Sequence, residues 1–242
     1  MSSDAVTTVY EDDLAVVTMD DGKANAMGLD FLEGLAAAVD GVAASDARAL
    51  VLIGRDRFFS GGIDLKAYAG YDLEQRAEHA RRLARTLLSV FTFRRPVVAA
   101  VTGHAIAGGA LLALAADVRL MAKGDHKLAA NEITLGVDVP HFGLAIARGA
   151  LPPHLVTDLV LHGRSLSPDE ARALGLVEET LNPAALPGRA RERARELADA
   201  VGHDAYEATK RRLRQPAADH ALESLETDLD GFIHRVGKLA ER

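Results

Sequence analysis

Two glycine-bearing segments of the chain could present backbone amides to a ligand. They are FFSGGIDL (residues 58–65) and AIAGGALLA (residues 105–113), and each follows a predicted strand. Glycine leaves the backbone uncovered, and the first turn of a helix has free N–H groups backed by the helix dipole. For either segment alone, a tight turn or a close-packed helix start explains the glycines about as well or better.

Taken together, the two segments are more informative. One N–H group from each could form an oxyanion hole, in which two donors stabilise the negative oxygen of an ester or thioester enolate. Such chemistry needs no nucleophilic side chain. The sequence contains no cysteine and no G-x-S-x-G motif of the kind that carries a nucleophilic serine.

Glu132 supplies a candidate general base. It lies in a stretch that is otherwise uncharged between Lys127 and Asp138. Desolvation of a carboxylate in such surroundings would raise its pKa and suit it to proton transfer near neutral pH. A loop glutamate that is exposed to water or paired with Lys127 is equally consistent with the sequence.

Predicted strands and helices alternate through the part of the chain that must position these candidates. Periodicity and β-rich runs predict strands at residues 6–10, 14–19, 49–53, 97–101 and 118–122, and helices at 29–42, 72–91 and 108–116. A glycine-bearing turn is predicted at residues 103–109. This alternation indicates an α/β fold with helices packed on the faces of a sheet.

The later part of the chain is predicted to be largely helical. Strand signals fade beyond Phe142, and the segment Ser-Pro-Asp-Glu at residues 167–170 is typical of a helix start, with Gly175 at the helix end. We expect an α/β core at residues 1–180 and a helical C-terminal region at 181–242 that takes part in oligomerisation. Packing of that region on its own core is an equally good alternative.

Composition excludes several classes of protein. Of 242 residues, 48% are hydrophobic and 26% are charged, as in ordinary globular proteins, and the net charge of −7 argues against binding nucleic acid through phosphate contacts. The acidic N-terminal segment MSSDAVTTVYEDD is unlike a secretory signal, and no apolar run approaches the roughly 20 residues of a membrane-spanning helix. Nine histidines show no metal-binding spacing. We expect a cytoplasmic protein without a metal site.

Four segments, in order, resemble the motifs of the crotonase, or enoyl-CoA hydratase/isomerase, superfamily. They are FFSGGIDLKAY (58–68), RRPVVAAVTGHAIAGGALLALAADVRL (94–120), ANEITLGV (130–137) and GRSLSPDEARALGLVEE (163–179). The resemblance implies a spiral of ββα units, an acyl-CoA substrate, no metal or redox cofactor, and assembly as a homotrimer or a dimer of trimers. It also implies that the oxyanion-hole amides are those of Ile63 and Gly108.

Departures from the family pattern favour one reaction. Enoyl-CoA hydratases carry two glutamates; the second matches Glu132, but the first falls at Leu111, which cannot transfer a proton. A single carboxylate, followed by Pro140 and Phe142, resembles the mitochondrial-type Δ3-Δ2-enoyl-CoA isomerases, in which one glutamate moves a proton from C2 to C4. Hydration, thioester hydrolysis, decarboxylation and acyl-CoA binding without catalysis remain alternatives.

The same resemblance implies substrate contacts in two segments and next to the second glycine turn. The positions are Lys23, Ala24, Ala26, Ser60, Gly61, Gly62, Asp64, Leu65, Lys66, Gly109 and Leu111. A lysine beside a CoA phosphate is chemically sensible, although a solvated surface lysine is the commoner case. Asp138, six residues after Glu132, could be a second acid, as in some family isomerases that act on dienoyl substrates, but its spacing favours a solvated or hydrogen-bonded loop residue. We interpret His104 and His141 as hydrogen-bonding or core residues.

Overall fold

The computed structural model describes residues 5–242; residues 1–4, at the start of the acidic N-terminal segment, lie outside the described range. The strands are β1 (Val6–Glu11), β2 (Leu14–Met19), β3 (Ala49–Ile53), β4 (Arg57–Ser60), β5 (Val97–Val101), β6 (Gly103–Ile106), β7 (Val118–Ala122), β8 (Leu128–Ala129) and β9 (Glu179–Leu181). The helices are α1 (Leu29–Ala44), α2 (Leu65–Ala69), α3 (Leu73–Phe91), α4 (Gly108–Ala115), α5 (His141–Ala150), α6 (Pro153–Val156), α7 (Pro168–Ala173), α8 (Leu186–Ala200), α9 (His203–Glu223) and α10 (Leu225–Ala240).

A six-stranded sheet in the order β1-β2-β3-β5-β7-β9 forms the centre of the fold. Only the β1–β2 hairpin is antiparallel; the other pairs are parallel. Every residue of β3 and β5 is buried, which fits their aliphatic sequences, because parallel strands are covered on both faces. Helix α8 covers one face of the sheet with Leu186, Ala190, Ala194 and Ala198, and the main core lies against the other face.

A second sheet of three parallel strands, β4-β6-β8, was not predicted from the sequence. The expected turn at 103–109 is partly wrong, because residues 103–106 form β6. These strands have only two to four residues, too few to show a period of two. Gly103 permits the pairing, since a Cβ there would lie 1.9 Å from the carbonyl carbon of Arg57.

Most predicted elements are confirmed. Helix α3 begins after Asp72, whose carboxylate forms a capping box with Gln75, and α7 begins after Ser167 with the same arrangement. Gly175 follows α7 with φ +74°, the left-handed conformation expected at a helix end. The predicted loss of strands after Phe142 has one exception, the three-residue strand β9.

The C-terminal helices pack on the rest of the described chain. Helix α8 lies against β3 and β5, α9 contacts α5, and α10 contacts α2 and α3. The division of the chain between residues 180 and 181 stays a prediction. No helix within residues 5–242 is both long and apolar enough to cross a membrane.

Candidate active site

One pocket brings both glycine turns together with Glu132. It encloses about 620 Å³ of empty space, part of it open to solvent. The residues that line it are Gly61, Ile63, Leu65, Leu83, Ile106, Ala107, Gly108, Leu111, Glu132, Leu135, Val137, Pro140, Phe142, Phe232, Val236 and Leu239. Among these described residues Glu132 is the single ionisable side chain, so the pocket is an apolar cleft with one acid in its wall.

The amide of Ile63 is free to bind a ligand because of how the turn is paired. Ile63 lies opposite Met27 in an isolated parallel bridge. The bridge bonds are made by its neighbours: Gly62 O accepts from Met27 N at 2.7 Å, and Asp64 N lies 3.5 Å from Met27 O. In parallel pairing, a residue flanked by such bonds points its own N–H away from the partner. The Ile63 N–H has no acceptor within the described range.

The amide of Gly108 is free because it begins α4. Ala107, just before the helix, has φ +49° and ψ −122°, and its N–H donates to Ala129 O at 2.7 Å. The Gly108 N–H therefore falls among the unpaired donors of the first helical turn, and none of residues 5–242 accepts from it. A Cβ on Gly62 would lie 3.4 Å from Gly108 N, so the two turns are in direct contact.

Ser60, Gly62 and Gly109 support the turns instead of lining the pocket. Ser60 is fully buried; its Oγ donates to Asn25 O at 2.7 Å and accepts from Gly62 N at 3.2 Å. Gly62 has φ +84°. A side chain on Gly109 would collide with the Ser60 carbonyl oxygen, 2.2 Å from the Cβ position. The glycines thus allow β4 and α4 to approach closely.

Glu132 lies in a 3-10 turn at residues 132–135 and is 8% exposed. Its Oε2 is buried and has no hydrogen-bond partner in the part of the chain that the structure describes. Burial raises the pKa of this carboxyl group to about 7. The sequence left open that the Glu132 carboxylate is exposed to water, and its burial shows that this alternative is wrong. With a pKa of about 7, the carboxyl group can exchange a proton near neutral pH.

Leu111 contributes an aliphatic side chain to the pocket wall. It lies on α4, is buried, and packs close to α5, since a Cβ on Gly143 would be 3.1 Å from Leu111 Cδ1. Val137 and Phe142 line the same pocket. Glu132 therefore faces hydrocarbon, which keeps water away from its carboxyl group.

The other predicted substrate positions fall into two groups, those that line the pocket and those that do not. Gly61 and Leu65 line the pocket. The two predicted segments are adjacent, because Gly61 N donates to Ala24 O at 2.8 Å, and Ala26 lies two residues further along. Asp64 instead caps α2, its Oδ1 accepting from Ala67 N at 3.0 Å. Lys23 and Lys66 are exposed. Contact of these residues with CoA stays a prediction.

Sequence reasoning missed Asn25 as a functional support. Asn25 is fully buried, with its Nδ2 donating to Met19 O at 2.8 Å and Phe59 O at 3.1 Å. Its φ of +49° places it in the left-handed region. Asn25 thereby ties the segment before α1 to β4. The residue type could have indicated this left-handed position, because asparagine tolerates the conformation better than most residues.

No individual residue of the α10 wall was identified from the sequence. Phe232, Val236 and Leu239 lie about 100 residues beyond Glu132 in sequence yet line the same pocket. Their spacing of three to four residues indicates a buried helix face. It does not indicate which surface that face covers.

The secondary candidates have structural partners. Asp138 lies 2.9 Å from Arg235 and is about half exposed. His141 Nδ1 lies 2.9 Å from Asp228, and His104 Nδ1 accepts from Lys127 N at 3.1 Å. These contacts fit the hydrogen-bonding roles expected for them. Within residues 5–242 no group of three or more acidic or histidine side chains could hold a metal ion.

Comparisons with known proteins show the family to which the chain belongs. The enoyl-CoA hydratase/isomerase family model matches residues 10–240. A Thermus thermophilus protein named as an enoyl-CoA hydratase is 38% identical over 161 residues, which is 65% of this chain and 61% of that protein, so the match spans less than two thirds of the curated relative.

Solved structures match over nearly the whole chain. A Mycobacterium tuberculosis protein is named as an enoyl-CoA isomerase in one solved structure and as a probable enoyl-CoA hydratase in another. The first of these structures superposes with a TM-score of 0.85 at 33% identity and covers 94% of this chain and 98% of that one. Human mitochondrial Δ3-Δ2-enoyl-CoA isomerase has a TM-score of 0.90 at 21% identity, with 98% and 95% covered, and shows the shared fold alone. The chain therefore belongs to the enoyl-CoA hydratase/isomerase family, the crotonase superfamily, and has its mixed α/β fold with C-terminal helices.

Proposed function

We propose that this protein is an enzyme that converts 3-enoyl-CoA thioesters into 2-enoyl-CoA thioesters, as in the degradation of unsaturated fatty acids. The observation that carries the proposal is one buried carboxyl group, that of Glu132, in an apolar pocket bordered by two free amides; its Oε2 has no hydrogen-bond partner among the described residues. Leu111 stands where a hydratase-type site needs a second carboxylate. The one acid present can move a proton between two carbons of the same substrate.

The proposed reaction proceeds through a dienolate. The C2 proton of a 3-enoyl thioester is acidified by the carbonyl and by the neighbouring double bond, and Glu132 removes it. The electron pair of the broken C–H bond delocalises onto the thioester oxygen, which accepts hydrogen bonds from Ile63 N and Gly108 N. Glu132 then returns the proton to C4, so that the double bond moves to C2–C3. No net oxidation or proton release occurs.

The surroundings of Glu132 suit a proton shuttle. A pKa of about 7 lets the same group accept and return a proton at neutral pH. The apolar wall limits exchange of that proton with water. Each oxyanion donor contributes roughly 3 kcal/mol of transition-state stabilisation.

The proposal also covers the binding of the CoA part of the substrate, the need for cofactors and the location of the enzyme. Lys23 and Lys66 are exposed, and we propose that they bind CoA phosphates by charge. The reaction as written uses no metal or redox cofactor, and we place the enzyme in the cytoplasm.

Hydration of a 2-enoyl-CoA is the second candidate function. Relatives named as hydratases favour it. A hydratase must orient and activate a water molecule, and Leu111 offers no group to do so. We therefore rank isomerisation first.

The test is incubation of the protein with 3-hexenoyl-CoA, followed by ultraviolet absorbance of the conjugated product. We expect isomerisation, and we expect Glu132→Gln to lower kcat by about 10²–10⁴-fold, the contribution typical of general acid–base catalysis. Binding of the substrate, measured by calorimetry, should change little. Asp138→Asn is the matched control and should retain activity, because Asp138 pairs with Arg235.

Other products would identify the alternatives. Formation of 3-hydroxyhexanoyl-CoA from 2-hexenoyl-CoA would support a hydratase, and release of free CoA would support a thioester hydrolase. Tight binding of both thioesters without turnover would support a non-catalytic acyl-CoA-binding protein.

We also propose that the protein assembles as a homotrimer or a dimer of trimers. Three large apolar side chains, Ile133, Leu135 and Leu161, are 43%, 38% and 62% exposed. The first two belong to the turn that holds Glu132, and the third belongs to a contacting turn at residues 157–161. Light scattering after size exclusion should give three or six times the chain mass, and Leu161→Asp should shift it towards the monomer. A monomeric wild type would contradict this proposal.

A further inference from the structure

His79 on α3 is buried beside the segment that holds the Ile63 amide. Its exposure is 0%, and its Nε2 lies 2.7 Å from the backbone oxygen of Met27. Because a carbonyl oxygen only accepts, Nε2 must carry a hydrogen. Burial lowers the pKa of the imidazole, which leaves the ring neutral and Nδ1 without a proton.

Met27 connects His79 to the oxyanion turn. The bridge between Met27 and Ile63 has one short bond, from Met27 N to Gly62 O at 2.7 Å. Its other bond, from Asp64 N to Met27 O, is 3.5 Å long and therefore weak. The short hydrogen bond from His79 is thus the stronger one that the Met27 carbonyl receives.

Aromatic neighbours hold the His79 ring in place. The Tyr68 ring meets it edge-on with centroids 5.2 Å apart, and the Tyr71 ring lies 6.0 Å away. Tyr71 in turn accepts a hydrogen bond from Leu29 N at 3.2 Å, which ties the cluster to the start of α1. The imidazole is therefore fixed between α3 and the Met27 segment.

We propose that His79 is a positioning residue for the oxyanion hole: it holds Met27 so that the Ile63 N–H points at the thioester oxygen. This inference rests on the proposed function. Loss of the donor leaves a buried carbonyl oxygen with only a weak bond, and the segment shifts to find another partner. A displacement of the Ile63 amide by a fraction of an ångström weakens its bond to the developing oxyanion.

The kinetic test compares three variants at a temperature where circular dichroism shows all of them folded. His79→Leu should lower kcat for 3-hexenoyl-CoA by roughly 10–100-fold and change KM by less than about threefold. His79→Gln, whose side-chain amide can still donate to Met27 O, should recover most of the loss. Val90→Ala, a buried change near the other end of α3, should leave kcat unaltered.

A spectroscopic test separates this inference from the proposed function. The infrared carbonyl stretch of bound 2-hexenoyl-CoA, labelled with ¹³C at the thioester carbon, reports hydrogen bonding to that oxygen without requiring turnover. We expect a red shift in the wild type and in Glu132→Gln, a smaller shift in His79→Leu, and recovery in His79→Gln.

Two results would overturn the inference, and they differ in what else they affect. Equal carbonyl shifts in the wild type and His79→Leu would remove the role of His79 and leave the isomerase proposal standing. A wild type that binds the labelled thioester with no shift would remove the oxyanion roles of Ile63 and Gly108, and the role of His79 with them.

Discussion

Glu132 is neutral in a large fraction of molecules at pH 7, because the folded protein surrounds its carboxyl group with hydrocarbon. The buried Oε2 has no hydrogen-bond partner among the described residues to stabilise the charged form. The rise of the Glu132 pKa from 4.5 to about 7 means that the folded protein destabilises the charged form by about 3 kcal/mol relative to the neutral form. The protein thus gives up stability at neutral and alkaline pH in exchange for a base of suitable strength.

This cost predicts a pH-dependent stability difference between the wild type and Glu132→Gln. The pKa of Glu132 is higher in the folded protein than in the unfolded chain. The wild type therefore has its full stability below about pH 4.5, and its free energy of unfolding falls as the pH rises through 7. Urea unfolding at pH 5 should show little difference. At pH 8 the variant should be more stable by up to about 3 kcal/mol. A constant difference across this range would contradict the burial of the Glu132 charge.

At the scale of elements, two helix faces define the pocket. Helix α4 begins where the chain leaves β6, and the glycine at position 109 lets the helix start pack on β4. Helix α10 closes the opposite side with Phe232 and Val236. An ion pair between Arg81 and Glu226, at 2.8 Å, joins the start of α10 to α3.

Removal of part of the α10 wall should affect long acyl chains most. Phe232→Ala is expected to lower the free energy of unfolding by about 3–5 kcal/mol. It should also lower kcat/KM for ten-carbon substrates more than for four-carbon substrates, because longer chains reach the lost wall. Phe93→Ala is the control, since Phe93 is buried in the core and does not line the pocket. An equal loss for all chain lengths would place the acyl chain elsewhere.

At the scale of the whole molecule, a buried charge network anchors α9. Asp117, just before β7, lies 2.7 Å from Lys210 Nζ and 3.0 Å from an Arg214 nitrogen. Both cations come from α9, and Lys210 is 5% exposed. The helix buries few apolar side chains, so these polar contacts carry much of its attachment.

Breaking this network should destabilise the whole fold. Asp117→Asn leaves two cations without their carboxylate and is expected to cost about 3–5 kcal/mol in urea unfolding. Addition of Lys210→Met should recover part of that loss by removing one unpaired charge. Glu33→Gln, which removes an exposed pair with Arg82, should cost about 1 kcal/mol or less. A small effect of Asp117→Asn would show that α9 is held by other contacts.

Local sequence determined most elements of this protein. The amphipathic pattern of α3, the capping residues Asp72 and Ser167, and the aliphatic runs of β3 and β5 act between residues close in the chain, so a pattern reveals them. The two glycine turns and the lone carboxylate, Glu132, could also be recognised from short segments of the sequence. Strands β4, β6 and β8 were not, because their two to four residues are held by pairing with distant partners.

Tertiary structure alone decided the environment of the site. The sequence was equally consistent with a solvated and a buried Glu132, and only the approach of α4 and α5 removed water from it. The bond from His79 to Met27 and the wall formed by Phe232 join residues far apart in the chain. Such contacts depend on how elements pack in three dimensions, which no period along the chain encodes.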